Sequence, residues 1–232
     1  MILLRKSRAR SHSISGGKET WESFPADLSP TAGPGGFRSL QCFREEGLTP
    51  GAGFEIRIPR DLEIVTYVPE GSVTLEDPGG RTVLLEGGEC RRSAARKGSL
   101  HRAVNGSLTN PVRVFQCLMT PDLTKPQTAP DQKRFPIAER KGILRLLASP
   151  NGQDASLQLR QDAGLYSSIL DPGHHLIHEL APRRAAWLHV VRGRIQLEDQ
   201  ILEWGDGASL IDEAAVSLTA REGSEILLFD MI

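Results

Sequence analysis

The chain has 232 residues, of which 39% are hydrophobic and 25% charged, and its formal net charge is −1. This length and composition are typical of a globular protein that buries a core, either as one large domain or as two small ones. A net charge so close to zero creates no overall field that attracts nucleic acid or an anionic membrane, so neither is expected as a partner. No apolar run approaches the roughly 20 residues that span a bilayer, and the apolar start MILL is too short for a signal peptide.

Short strands and tight turns alternate along the chain. MILLR at the start predicts a strand, and residues 15–37, which contain several Gly, Pro and Ser, predict a long surface loop. Further on, runs rich in Val, Ile and Leu are separated by Gly- and Pro-containing turns about every 8–12 residues, which is typical of an all-β sandwich or barrel. The segment QKRFPIAER at 132–140 predicts a brief helical turn. The other predicted strands are 63–68, 72–75, 82–85, 112–119, 143–148, 156–160 and 226–229.

The strand pattern occurs twice. EIVTYVPEGSVTLED at 63–77 leads through a turn at 77–80 to TVLLEGGEC, and AWLHVVRGRIQLEDQ at 186–200 leads to ILEWGDGASL. Between the two copies, residues 121–132 are polar and Pro-rich, as a linker is. We therefore predict an all-β chain with two tandem antiparallel barrels: a first barrel over 1–122, a linker over 123–135 and a second barrel over 136–232.

Cys42, Cys90 and Cys117 are an odd set with no spacing typical of zinc ligands. We expect them to be reduced thiols in a reducing compartment, which predicts a cytoplasmic protein.

Two segments resemble the two-part signature of the cupins. Residues 51–71 read GAGFEIRIPRDLEIVTYVPEG and residues 98–105 read GSLHRAVN, and together they resemble the pirin branch most closely. The runs KRFPIAER, LRLLASPNGQDASLQLRQDAGLYSSILDPG and GDGASLIDE extend the resemblance over nearly the whole chain. The chain also resembles the YhaK-type subgroup of pirins. The resemblance implies a bicupin, in which each barrel is a double-stranded β-helix, or jelly roll.

The same resemblance implies a metal site that has lost ligands. In pirins, two His of one strand and a His and a Glu of a later strand bind one metal ion. Here Arg57 and Pro59 stand at the first two positions, His101 is retained, and Ala103 replaces the Glu. Pro and Ala offer no lone pairs, and Arg is a cation with donors only. Two like charges about 4 Å apart repel by about 4 kcal/mol at a dielectric constant of about 20, and a dication doubles this. We therefore expect no metal and no other cofactor.

Because alternate side chains of a strand face the same side, Arg57, Pro59, Asp61 and Glu63 are predicted to share one face. The resemblance implies that this face points into the barrel, where Arg57 is expected to meet His101. Such a pocket offers donors to an anionic or aromatic ligand. The alternative is that Arg57 pairs with Glu63 and fills the cavity. His101 is a candidate acid or base, or else a hydrogen-bonded core residue. The predicted pocket residues are Arg57, Pro59, Glu63, His101, Ala103 and Gln116.

His174, His175 and His178 lie close together in the second half. They are interpreted as part of a half-exposed strand end, without a metal ion.

The leading functional hypothesis is a metal-free pirin-like bicupin that acts as a binding or regulatory protein, with a small molecule or a protein as its partner. One alternative is a quercetin 2,3-dioxygenase-like oxidoreductase with residual or altered activity, since some pirins open quercetin with O₂ at the metal. The other alternative is a structural module that binds protein partners.

Overall fold

The computed structural model describes residues 1–24, 36–76 and 80–232, most of them in β-strands. Contacts divide the chain into two compact units. Residues 11–134 and 159–161 form one unit, here called the N-terminal barrel, and residues 1–10, 135–158 and 162–232 form the other, the C-terminal barrel. The prediction of an all-β bicupin is confirmed. No helix among the described residues is long and apolar enough to cross a membrane.

Strand β1 (Ile2–Arg5) belongs to the C-terminal barrel. The strands of the N-terminal barrel are β2 (Ser11–Ser15), β3 (Lys18–Phe24), β4 (Leu40–Leu48), β5 (Gly53–Arg57), β6 (Leu62–Val68), β7 (Ser72–Glu76), β8 (Thr82–Glu86), β9 (Glu89–Ala95), β10 (Leu100–Val104), β11 (Val112–Met119) and β12 (Asp131–Arg134). They form a seven-stranded sheet in the order β12-β9-β6-β11-β4-β3-β2 and a four-stranded sheet in the order β5-β10-β7-β8. A shared apolar core joins the two sheets, with Ile64 and Leu118 from the larger and Ile56 and Leu75 from the smaller.

A short helix, α1 (Ile137–Arg140), begins the C-terminal half, as the sequence predicts. The strands that follow are β13 (Arg145–Ser149), β14 (Leu157–Gln158), β15 (Ala163–Leu170), β16 (His175–Glu179), β17 (Ala185–Arg192), β18 (Arg194–Leu197), β19 (Gln200–Glu203), β20 (Gly207–Ile211), β21 (Ala215–Ala220) and β22 (Ser224–Met231). Their sheets have the orders β1-β20-β17-β22-β15-β13-β14 and β16-β21-β18-β19.

The internal repeat is visible strand by strand. The central order β9-β6-β11-β4 of one large sheet corresponds to β20-β17-β22-β15 of the other, and β5-β10-β7-β8 corresponds to β16-β21-β18-β19. The predicted repeat is therefore confirmed. At one end of each large sheet a further strand follows this central order, β12 beside β9 in the N-terminal barrel and β1 beside β20 in the C-terminal barrel.

The two outer strands lie elsewhere than the sequence predicts. The sequence predicts residues 1–5 in the first barrel, but β1 pairs with β20, and Ile2 and Leu4 pack on the apolar core of the C-terminal barrel. Residues 131–134 were assigned to the linker, but they pair with β9. Both segments satisfy the backbone donors and acceptors of an otherwise open sheet edge, a long-range effect that local composition does not record.

The predicted loop at 15–37 is wrong for its first part, because Lys18–Phe24 is strand β3. The inward side chains of β3 are polar and bond to polar partners, as Thr20 does to Glu46. The strand therefore lacks the alternation of hydrophobic and polar residues by which a sequence predicts a strand. Residues 25–35 of that predicted loop, and residues 77–79 of the predicted turn, lie outside the described residues. The strands that flank this turn, β7 and β8, pair antiparallel, as expected.

Candidate functional sites of the N-terminal barrel

The facing strands β5 and β10 determine which side chains enter the N-terminal barrel. His101 lies opposite Ile56, and Ala103 lies opposite Phe54. All four are buried, and the rings of His101 and Phe54 are 6.1 Å apart. The retained family ligand is therefore surrounded mainly by apolar side chains.

Arg57 does not face the interior, and its prediction as a pocket residue is wrong. It is exposed, while Phe54, Ile56 and Ile58 are buried. Burial of each such apolar side chain contributes about 1.5–3 kcal/mol, so together they fix the phase of β5 and turn Arg57 outward. Pro59 is half-buried in the irregular segment between β5 and β6.

Glu63 is buried but lies on the opposite face of its sheet, so the predicted Arg57–Glu63 pair is wrong. The irregular residues between Ile58 and Leu62 interrupt the alternation, and β6 turns Leu62 and Ile64 into the core instead. The Glu63 carboxylate accepts hydrogen bonds of 3.0 Å from the Arg160 backbone N–H and from Gln161 Nε2. Arg92 Nε lies 3.7 Å from Glu63 Oε1, and both side chains are 1% exposed. Burial raises the pKa of Glu63, although these three partners oppose the shift.

Gln116 belongs to a row of polar residues on the inner face of the large sheet. Successive strands place Arg91, Thr66, Gln116, Arg44 and Glu22 opposite one another. Gln116 Nε2 donates to Thr66 Oγ1 at 3.1 Å, whereas its buried Oε1 has no hydrogen-bond partner in the described part of the chain. A buried carbonyl oxygen without a hydrogen bond costs about 1–3 kcal/mol of stability. A hydrogen-bond donor from water or from a ligand is therefore favoured beside Gln116 Oε1.

The sequence did not identify Arg44, Thr66 or Arg91 as neighbours of Gln116. They come from separate strands and meet only through sheet register, which no local motif records. Arg44 is held by Glu22 and Glu46, each at 3.0 Å. Burial raises the pKa of Glu46, against the opposing effect of Arg44 and Thr20.

A cleft of about 410 Å³ lies on the outer side of this barrel, and the sequence did not predict it. Gly47 stands opposite both Glu19 and Arg113 in the sheet, and a Cβ at Gly47 would lie 3.7 Å from the Trp21 ring. The missing side chain thus leaves open space beside an aromatic ring. The cleft is lined by Ile14, Gly17, Lys18, Glu19, Trp21, Gly47, Leu48, Thr49, Glu70, Pro111, Val112 and Arg113.

Two charged side chains at the cleft have polar partners beside them. Glu19 pairs with His12 at 2.9 Å, and Arg113 pairs with Glu45 at 3.1 Å. The His12 ring stacks on Trp21 with centroids 5.0 Å apart. Lys18 and Glu70 remain as groups of opposite charge at the cleft.

The three cysteines are buried thiols. Burial raises the pKa of Cys117 well above its ordinary value, so its sulfur remains a protonated thiol. None of them offers a reactive nucleophile.

The buried Glu63–Arg92 pair predicts a large stability effect. We expect Glu63→Ala to lower the free energy of unfolding by about 3–5 kcal/mol, because it leaves Arg92 buried without its countercharge. Urea unfolding measures the loss. Glu55→Ala is the matched control, since Glu55 pairs with Arg102 at 2.6 Å on the surface, where both side chains are more than two-fifths exposed. Equal losses for the two variants would contradict this account.

The phase of β5 predicts which substitutions create a metal site. Ile56→His with Ala103→Glu places two new ligands beside His101 on one inward face, and we expect about a tenfold or greater gain in Ni(II) affinity over the unmodified chain. The control, Arg57→His with Ala103→Glu, directs its new His outward. Equilibrium dialysis with Ni(II), on variants that retain cooperative unfolding, compares the three proteins. A larger gain for the control would reverse the phase assigned here.

Known proteins match both halves of the chain. The family described as "Pirin" matches residues 20–119, and the family described as "Quercetinase C-terminal cupin domain" matches residues 146–231. A quercetin 2,3-dioxygenase of Escherichia coli K12 is 31% identical over 231 residues, which cover 100% of this chain and 99% of that protein. The crystal structure of YhhW from Escherichia coli is 29% identical, with a TM-score of 0.86 over 100% of this chain and 98% of that one.

One comparison corrects the cofactor prediction. A structure of the bacterial pirin YhhW in complex with nickel(II) is 29% identical, with a TM-score of 0.83 over 100% of this chain and 99% of that one. The expectation that no cofactor is involved is contradicted by this finding.

The side chains around His101 nevertheless do not provide the ligands that a nickel(II) ion needs. Phe54, Ile56 and Ala103 bring no lone pairs to it, and no group of three or more His, Cys, Asp or Glu within residues 1–24, 36–76 and 80–232 is arranged to hold an ion. We therefore assign no ligand set. The family itself is unambiguous, because both barrels and nearly the whole length match: the chain belongs to the pirin family of bicupins.

Proposed function

We propose that this bicupin is a binding or regulatory protein whose N-terminal barrel binds a small planar aromatic ligand in the cleft beside Trp21. The observation that carries the proposal is the open volume of about 410 Å³ over Gly47. This volume is within the range of small-molecule sites, about 300–1,000 Å³. Ligands of this class fit the lining, which is mostly apolar with a few polar groups.

The ligand chemistry follows from the groups at the cleft. The indole of Trp21 offers a flat surface for stacking. Leu48 and Val112 add apolar surface, and Lys18 and Glu70 offer one donor and one acceptor for hydroxyl or carboxylate groups at the ligand's edge. Because these two charges balance, a neutral or singly charged aromatic compound suits the cleft better than a multiply charged anion.

The proposal also covers the binding partner and the cellular compartment. The partner is a small molecule, or a protein that responds to its binding, and the protein is cytoplasmic. The three buried cysteine thiols support a cytoplasmic location, because thiols persist in reducing compartments.

Quercetin is a suitable probe for the cleft because it is planar and carries hydroxyl groups. We expect it to quench Trp21 fluorescence saturably under anaerobic conditions, and Gly47→Leu to weaken binding about tenfold or more by filling the space. Gly47 has an ordinary backbone conformation and a Cβ there meets nothing closer than 3.7 Å, so the variant should fold. Gly223→Leu, at a site with nothing within 4 Å, controls for the substitution.

Two results would refute the cleft as a ligand site. One is quercetin binding that Gly47→Leu leaves unchanged, and the other is the absence of any saturable quenching that depends on Trp21, as tested with Trp21→Phe.

A second candidate function is a quercetin 2,3-dioxygenase-like oxidoreductase. The named relative of 31% identity favours it, and so does the burial of His101 and Gln116 inside the barrel. This hypothesis places the chemistry inside the barrel, away from the Trp21 cleft.

Turnover separates the two functions. Quercetin consumption with O₂ is measured with added Ni(II), Fe(II) or Cu(II). The binding hypothesis predicts no turnover above the metal-only rate. Turnover that His101→Ala abolishes and Gly47→Leu leaves intact would establish the enzyme instead.

A further inference from the structure

A cluster of polar side chains lies inside the C-terminal barrel. His178 on β16 bonds through Nε2 to Asp230 Oδ2 on β22 at 2.9 Å. Arg184 contacts Asp230 through Nε and Asp162 through an Nη at 2.8 Å. The ring of Tyr166 on β15 tilts against the imidazole of His178, with centroids 4.9 Å apart. His178, which the sequence places in a half-exposed strand end, is thus held by groups from other parts of the chain.

The fold directs this His178 inward. It lies on the same side of the chain as the core residues Leu176 and Leu180, while His175 and Ile177 are exposed. It stands opposite Val216 in the sheet, as Ile56 stands opposite His101 in the N-terminal barrel. The repeat therefore gives His178 the place that Ile56 occupies in the other copy.

Asp230 fixes the tautomer of His178. Burial raises the pKa of Asp230, but hydrogen bonds from His178 and Arg184 outweigh it and leave that pKa below its ordinary value. The carboxylate can only accept, so Nε2 carries the hydrogen and Nδ1 of a neutral ring keeps its lone pair. No residue that the structure describes forms a hydrogen bond with this Nδ1.

Tyr166 supplies a second polar group beside the imidazole. Burial, and then the charge of Asp230, raise the pKa of Tyr166, so its hydroxyl remains protonated at neutral pH. Within the described residues this hydroxyl has no hydrogen-bond partner. The Tyr166 ring thus lies against the imidazole whose Nδ1 can accept a hydrogen bond.

We propose that His178, Asp230 and Tyr166 form a second ligand site, within the C-terminal barrel, that binds a small molecule through an acidic hydroxyl group such as a phenol or an enol. The ligand hydroxyl donates to His178 Nδ1. When the proton transfers, the ligand O–H bond breaks and an Nδ1–H bond forms, giving an imidazolium beside Asp230. The Tyr166 hydroxyl then donates to the oxygen anion.

Local charge argues for a hydroxyl rather than a carboxylate. Asp162 and Asp230 together outnumber Arg184, so a ligand that arrives as an anion is repelled. A neutral hydroxyl becomes charged only as His178 gains the compensating positive charge. A cleft of about 350 Å³ lies next to the cluster, with which it shares Arg184. This site is independent of the cleft at Trp21.

4-Nitrophenol is a direct probe, because its phenolate absorbs visible light and its phenol does not. At a pH at which the free compound is mostly protonated, we expect the purified full chain to raise the phenolate absorbance saturably. His178→Gln should weaken this about tenfold or more, since it removes a hydrogen bond to a charged group. The control is His175→Gln, which alters an exposed His on the same strand that bonds to Thr219 at 3.0 Å.

Two further measurements distinguish the site from a structural contact. Tyr166→Phe should lower the phenolate yield while circular dichroism remains unchanged. Nitrogen-15 NMR of the unmodified protein should show the Nε2–H tautomer at His178. The proposal is overturned by an Nδ1–H tautomer, by no saturable signal, or by equal signals in His178→Gln and His175→Gln.

Discussion

The two-residue period of β5 is the constraint on which the interior of the N-terminal barrel depends. Phe54, Ile56 and Ile58 share one face, and their burial outweighs any advantage of placing Arg57 inside. This choice surrounds His101 with apolar side chains and leaves Arg57 in solvent. A shift by one residue would reverse every inward and outward position on the strand.

The same alternation separates the charged groups of this barrel into two sets. Glu63 and Arg92 face away from the core, where Glu63 accepts hydrogen bonds from Arg160 and Gln161, whereas Arg44 and Arg91 face inward beside Gln116. A buried ion pair is a weak source of net stability, but removing one partner is costly. Glu63 therefore has a structural role, since it binds residues 160 and 161, and it does not line a pocket.

One architecture, used twice, carries different polar groups in each copy. The strand pair β5–β10 presents His101 and Ile56, while the corresponding pair β16–β21 presents Val216 and His178. The backbone pairing is the same, but the His lies on β10 in the N-terminal barrel and on β16, which corresponds to β5, in the C-terminal barrel. In the C-terminal barrel it meets Asp230, which orients it, and in the N-terminal barrel it meets Phe54.

The sequence by itself determined the all-β class, the two copies and the family, because turn residues, β-branched runs and the pirin signature are local properties of the chain. It also identified His101, Ala103 and Gln116, which the structure places on inner faces. Only the tertiary structure decided that Arg57 points outward and that Glu63 lies on the sheet face away from the core. It also decided that β1 pairs with β20 and that His178 contacts Asp230. These depend on strand phase across an irregular segment and on pairing between residues far apart, and neither is written in local spacing.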